Sequence, residues 1–247
     1  MKSSSRQTLI LVHGWASDTA IWSTIGKALS ERYRLVEINM PGYADGPDFF
    51  PDDLEQLSIW LRDTTPSGAI WLAWSMGALP VIQLAAKSQS HIRGLNLIAP
   101  VIRFCNDEDW PHGLSAEAFD EFEKGFDQDR TAQLERFYKM VMFPCKSRSI
   151  LNGLTTSHAA LGVSDKTLHS GLRLLKHADV RDLICDVRVP VTLFHGERDA
   201  VVSCNVSRQA EERFHSARLS LFDDAGHAPF LTHPDEFIAR FECHGRH

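Results

Sequence analysis

Ser75, Asp199 and His227 lie far apart in this 247-residue chain, yet they are the residue types that together make a serine hydroxyl reactive. A serine alone is a poor nucleophile. A neighbouring base must take its proton, and an acid must hold that base in the right tautomer. Ser75 stands in Ala73-Trp74-Ser75-Met76-Gly77, after the apolar run Ile70-Trp71-Leu72 and before a stretch, GALPVIQLAAK, that reads as a helix. A serine between strand and helix, with a small residue two positions away on each side, has the form of a nucleophile elbow. The turn is tight, so bulk at 73 or 77 would strike the adjoining backbone, and the serine takes strained φ/ψ to project its Oγ into a cleft. The pattern departs from G-x-S-x-G at Ala73. A serine capping an ordinary helix would look similar, so the partners have to decide.

The partners come in the order that this elbow requires, Ser, then Asp, then His. Asp199 follows the run Val191–His195, inside His195-Gly196-Glu197-Arg198-Asp199. His227 follows Arg218–Phe222, inside Asp224-Ala225-Gly226-His227-Ala228-Pro229-Phe230. All three residues fall at the carboxyl ends of strand-like runs, the edge where open α/β sheets hold ligands. Asp223 and Asp224 compete for the acid role but are too close to His227 in sequence to come from a different strand end. His233, at a helix start, is the alternative base, and His13 is expected to brace the first loop. Attack on an acyl carbon also needs donors for the developing oxyanion. The backbone N–H groups of Met76 and of Trp15, in His13-Gly14-Trp15, are the candidates.

Elements that could position these residues follow from periodicity. Thr8–His13, Arg34–Ile38, Ile70–Trp74, Leu95–Ala99, Val191–His195 and Arg218–Phe222 read as strands. Helical spacing marks Ile21–Arg32, Asp52–Asp63, the stretch from Met76 onward, about 203–214, and Pro234–Phe241. This alternation implies a mostly parallel sheet covered by helices on both faces. It stops between Ala99 and about Arg188, where Phe119, Phe122 and Phe126, then Leu134, Phe137 and Val141, then Leu168, Leu172 and Leu175 repeat at helical spacing. An all-helical lid is expected over 106–180, inserted into a core formed by 1–105 and 181–247.

Composition excludes several classes. A net charge of −6 opposes non-specific nucleic-acid binding. No run approaches the roughly 18 apolar residues of a membrane span. The opening MKSSSRQ has no apolar signal-peptide core. Five scattered cysteines without C-x-x-C fit a reduced, cytoplasmic setting. No metal-ligand spacing appears among the twelve histidines, so neither metal nor cofactor is expected.

The strings LVHGWASDTAIW, IWLAWSMGALP, HGERDAVV and DDAGHAPFLTHPDEF resemble α/β-hydrolases of the pimeloyl-acyl-carrier-protein methyl ester carboxylesterase family of biotin synthesis. Asn106-Asp107-Glu108-Asp109-Trp110-Pro111 is similar to that family too, whereas Ala73 and Ala78 replace expected glycines and the stretch after Pro111 matches less closely. The resemblance implies an α/β-hydrolase fold and a serine esterase, with Ser75, Asp199 and His227 as triad. It implies that Trp15 and Met76 border the oxyanion, and that Phe137, Tyr138, Lys139, Met140 and Val141 meet the acyl chain. The partner implied is acyl carrier protein bearing a pimeloyl methyl ester, and the chain is expected to act as a monomer.

Charge patterning points the same way. Arg130, Arg136, Lys139, Lys146 and Arg148 are opposed only by Glu135, directly after an acidic stretch over 107–129. A basic lid would steer an acidic carrier protein and hold the phosphate of its arm. A solvated helix face that balances the acidic stretch is the plainer reading. A broad carboxylesterase or C–C bond hydrolase on the same scaffold stays open at this stage, as does a non-catalytic receptor.

Overall fold

The computed structural model describes residues 6–48, 53–160 and 163–244, with the side chains of 155–160 left aside. Six parallel strands form one sheet: β1 (Thr8–Val12), β2 (Arg34–Ile38), β3 (Ala69–Trp74), β4 (Ile92–Ile98), β5 (Val191–Gly196) and β6 (Ala217–Phe222). Their spatial order is β2-β1-β3-β4-β5-β6. Parallel neighbours need crossovers, and helices supply them. Between strands lie α1 (Ser23–Ser30), α2 (Leu54–Thr64), α3 (Ala78–Lys87), α4 (Ala116–Gln128), α5 (Arg130–Met142), α6 (Arg148–Ala160), α7 (Asp165–His177) and α8 (Cys204–Arg213), while α9 (Pro229–Thr232) and α10 (Pro234–His244) follow the last strand. α1, α9 and α10 pack together on one face of the sheet, and α2 packs on α3 on the other, where α8 also lies.

The central strand β3 is buried along its whole length, as its unbroken apolar run requires of a strand covered on both faces. The edge strands β2 and β6 are partly open to solvent, and β6 buries only Ser220 and Phe222. An aromatic chain locks one helical face to the sheet. Trp22 lies on Phe230, Phe230 on Trp74 and Phe237, and Phe237 on Phe194 and Phe241.

Some boundaries differ from those expected. β4 begins at Ile92, three residues before the apolar run, because Gly94 pairs with Ile70 through backbone groups that do not depend on side chains. The helix expected from Ile21 divides into a 3-10 turn, Thr19–Trp22, capped by Asp18, followed by α1. α2 starts at Leu54, where Asp53 accepts from the Gln56 N–H; the expected start at Asp52 lies outside the described residues. α9 and α6 had no counterpart among the expected helices.

Between β4 and β5 the chain makes α4 to α7. α4, α5 and α7 carry the apolar triplets expected at helical spacing, and all nine side chains are buried except Phe122, which is half-buried. Ser115, Asp129 and Ser164 cap these three helices. The two ends of the segment meet, for Arg103 bridges Asp179 in antiparallel fashion. Arg103 and Arg181 each pair with both Asp107 and Asp179. Burial alone would raise the Asp179 pKa, but bonds from Arg181 and Arg103 outweigh it and bring it down to about 2.

Candidate active site

The elbow is built as its sequence requires. Ser75 has φ of 56°, left-handed backbone that a non-glycine residue adopts only when its surroundings impose it. A 3-10 turn, Ser75–Gly77, precedes α3. A side chain at Gly77 would come within 2.5 Å of the His13 carbonyl, so this position must be glycine. Ala73 and Ala78 are fully buried, and the fold has room for both methyl groups. A Cβ at Gly14 would lie 3.1 Å from Ser75 Cβ, which puts the His13-Gly14-Trp15 loop directly against the serine.

The three distant residues meet. Ser75 Oγ is 2.9 Å from His227 Nε2, and His227 Nδ1 is 2.7 Å from Asp199 Oδ2. The side chains of His227 and Asp199 have no solvent exposure. Asp199 Oδ1 accepts the Val201 and Val202 N–H groups. Burial pushes the Asp199 pKa up; His227 and a second imidazole, His195, pull it down further, and the carboxyl ends well below the usual range. With the acid ionised, His227 Nδ1 must be the donor, which leaves Nε2 free to accept the serine proton. The Trp74 indole donates to the His227 carbonyl at 2.9 Å and so fixes the loop that carries this histidine.

The competing residues lie elsewhere. Asp223 and Asp224 are exposed, and Asp224 stands 3.8 Å from Arg198. His233 Nδ1 is bonded to the neighbouring Thr232 hydroxyl. His13 is buried, donates Nδ1–H to the Gly14 carbonyl and accepts the Met40 N–H at Nε2. Burial lowers its pKa to about 4, only partly offset by the Gly14 bond, so it is a neutral brace between two loops. Among the described residues, no three His, Cys, Asp or Glu are grouped to hold a metal ion, and no helix is long and apolar enough to cross a membrane.

Residues 9–240 match the model of the alpha/beta hydrolase family. The chain belongs to the alpha/beta hydrolase family. Among curated relatives of this hydrolase, one from Aromatoleum aromaticum is 33% identical over 96% of the chain and 98% of its own length. One from Nitrosomonas europaea is 30% identical over 95% of the chain and 94% of its own length. Both are named pimeloyl-[acyl-carrier protein] methyl ester esterase. An esterase from Exiguobacterium antarcticum superposes with a TM-score of 0.87 at 20% identity, covering 97% of this chain and 91% of that one, and so shares the fold.

Around the hydrolase site, α5 contributes to three cavities. Phe137 and Met140 line an apolar one of about 80 Å³ with Trp15, Phe122 and Val201. Tyr138 and Val141 line a second, of about 310 Å³, beside Trp74 and Ala16. Lys139 lines a third, an open cleft of about 540 Å³, with Lys146, Arg148 and Arg198. Arg198 was absent from the basic residues expected; it lies outside the 130–148 segment, and only the fold brings it there. Arg130 is engaged elsewhere, with Asp165 and the Val163 carbonyl, and Arg136 is exposed. Met76 is fully buried.

The segment of α4 to α7 also grips the loop beside the serine. Trp15 Nε1 donates to the Leu168 carbonyl at 2.9 Å, and its ring packs edge-on against Phe122, Phe126 and Phe137. The Tyr138 hydroxyl donates to the Ala16 carbonyl at 2.6 Å.

Proposed function

We propose that this chain is a serine esterase that hydrolyses the methyl ester of pimeloyl-acyl-carrier protein, a step toward a biotin precursor in the cytoplasm, and that it acts as a monomer. The unbroken hydrogen-bond chain Asp199–His227–Ser75 carries the reading, together with the shared name of relatives that align along nearly the whole chain. Five free cysteines suit a reducing compartment.

Ser75 Oγ attacks the ester carbonyl while His227 Nε2 takes its proton, and Asp199 stabilises the resulting imidazolium. The Met76 and Trp15 N–H groups receive the oxyanion. Collapse of the tetrahedral intermediate breaks the C–O bond to methoxide, which leaves as methanol with the proton from His227. Water, activated by the same histidine, then attacks the acyl-serine, and the free carboxylate departs with Ser75 restored.

Residues 106–180 act as the lid, closed at its base by the Arg103–Asp179 contact. Phe137, Tyr138, Met140 and Val141 contact the acyl chain. Lys139, Lys146 and Arg148, with Arg198 opposite, form a cationic cleft suited to an acidic carrier and its phosphate, and the exposed Arg136 adds to the basic surface along α5, whereas Arg130 is paired with Asp165.

The test is methyl-pimeloyl carrier protein assayed beside a small free methyl ester, with Lys146→Glu/Arg148→Glu as the variant. Wild type is expected to prefer the carrier-bound ester. The variant should lose about 10- to 100-fold in kcat/KM on that substrate alone, less in high salt as the Debye length shrinks from about 10 Å to about 3 Å. Equal rates on both substrates in wild type would point instead to a broad carboxylesterase.

A further inference from the structure

No step above uses His195, yet it is fully buried near the end of β5 and touches the acid. Its Nε2 lies 3.0 Å from Asp199 Oδ2 and 3.0 Å from the Val202 carbonyl, and its Nδ1 lies 2.7 Å from Ser207 Oγ. Two acceptors that carry no hydrogen converge on Nε2, so Nε2 bears the proton and donates to both. Asp199 Oδ2 therefore receives N–H groups from two imidazoles, His227 at 2.7 Å and His195 at 3.0 Å. Oδ1 receives two more from the backbone of Val201 and Val202. The turn that folds Asp199 back over the strand end is closed by its own N–H on the Gly196 carbonyl.

We propose that His195 is a positioning residue for the esterase reaction: its Nε2–H fixes the plane of the Asp199 carboxylate and shares Oδ2 with His227, while Ser207 holds its tautomer. The inference rests on the reading of Ser75, His227 and Asp199 given above. A carboxylate offers about four acceptor sites, and here four donors engage it. With His195 removed, Oδ1 stays anchored to the backbone, but Oδ2 is held by His227 alone. The acid then follows the movements of the base it should fix. Oδ2 also gives His227 its undivided charge, which tightens that bond, so the predicted loss in rate comes from position and not from a weaker acid. Ser207 is fully buried on α8 and faces Nδ1. Without its hydroxyl, the ring can move its proton to Nδ1 and turn a bare Nε2 toward two acceptors.

Three variants test this, assayed on a small free ester. His195→Phe keeps a ring and loses both nitrogens. His195→Gln keeps an N–H near the place of Nε2. Ser207→Ala removes only the partner at Nδ1. Each is also read by the downfield proton resonance of the His227 Nδ1–H, which needs no turnover. His195→Phe should lose about 10- to 100-fold in kcat with KM nearly unchanged, the scale of a small misplacement of reacting groups. His195→Gln should recover most of that loss, and Ser207→Ala should lose about threefold. The resonance should move further downfield in His195→Phe. Wild-type kcat in His195→Phe, or His195→Gln as slow as His195→Phe, overturns the proposal. Should His195→Phe fail to fold, wild-type kcat with an unmoved resonance in Ser207→Ala overturns it. Activity above a tenth of wild type in folded Ser75→Ala would instead overturn the esterase reading, and the resonance would still report on His195.

Discussion

At the sheet edge, the side chains of Asp199 and His227 are wholly buried, and the carboxylate accepts from two backbone N–H groups and two imidazoles. In the helical insert, α5 instead turns different side chains into three separate cavities, and Lys139, Lys146 and Arg148 stand exposed around the widest. One region spends its contacts on a single geometry, and the other offers surfaces. Bond-making asks for groups fixed to fractions of an ångström, whereas choosing a substrate asks for shape and sign of charge. The two regions should therefore fail differently when altered.

The largest failure belongs to the edge. Ser75→Ala should abolish ester hydrolysis by about a millionfold with an unchanged melting temperature. Activity above a tenth of wild type in the folded variant would break the contrast at its root. Asp199→Asn should cost about ten-thousandfold in kcat, because its amide stabilises the wrong tautomer of His227. Asp224→Asn and Asp223→Asn, both exposed, should each stay within about twofold, as surface changes do. A larger loss at 224 than at 199 would reassign the acid.

A smaller effect concerns stability. His13 is held neutral in the fold with its pKa near 4. The unfolded chain binds that proton from about pH 6.5 downward, so the contribution of His13 is fully present above 6.5 and drains away as pH falls toward 4. Between pH 7 and pH 5 the loss should be about 2 kcal/mol, read by urea unfolding, and His13→Gln should flatten the difference. The smallest effect lies where the two regions touch. Tyr138→Phe removes one bond between α5 and the loop beside the serine, and kcat on a small ester should fall about fivefold while KM holds. A loss confined to KM would make Tyr138 part of the binding surface only.

The same contrast explains what could be read in the sequence. Ser75, Asp199 and His227 each follow an apolar run that ends at the carboxyl edge of a parallel strand, so that these three would meet could be expected without coordinates. β4 was placed too short because Arg93 and Gly94 interrupt its apolar run while its backbone pairs regardless. α6 carries Gly153 and two threonines, residues that weaken a helical reading of the sequence. His195 escaped notice because it reads as the last residue of the run VTLFH. Four residues of spacing do not put side chains together in a strand, and only the turn over 196–199 brings His195 to Asp199. Arg198 escaped because its cleft is shared with residues about fifty positions away.

Arg103 and Asp179 lie 76 residues apart and touch, so the insert leaves the sheet and returns to it at nearly one point. A segment hung in that way touches the rest of the molecule at few places besides its base, chiefly where Leu168 and Tyr138 bond the loop beside Ser75. A graft of the chain between Arg103 and Asp179 would therefore have to carry those two bonds with it to leave the loop at Trp15 and Ala16 in place.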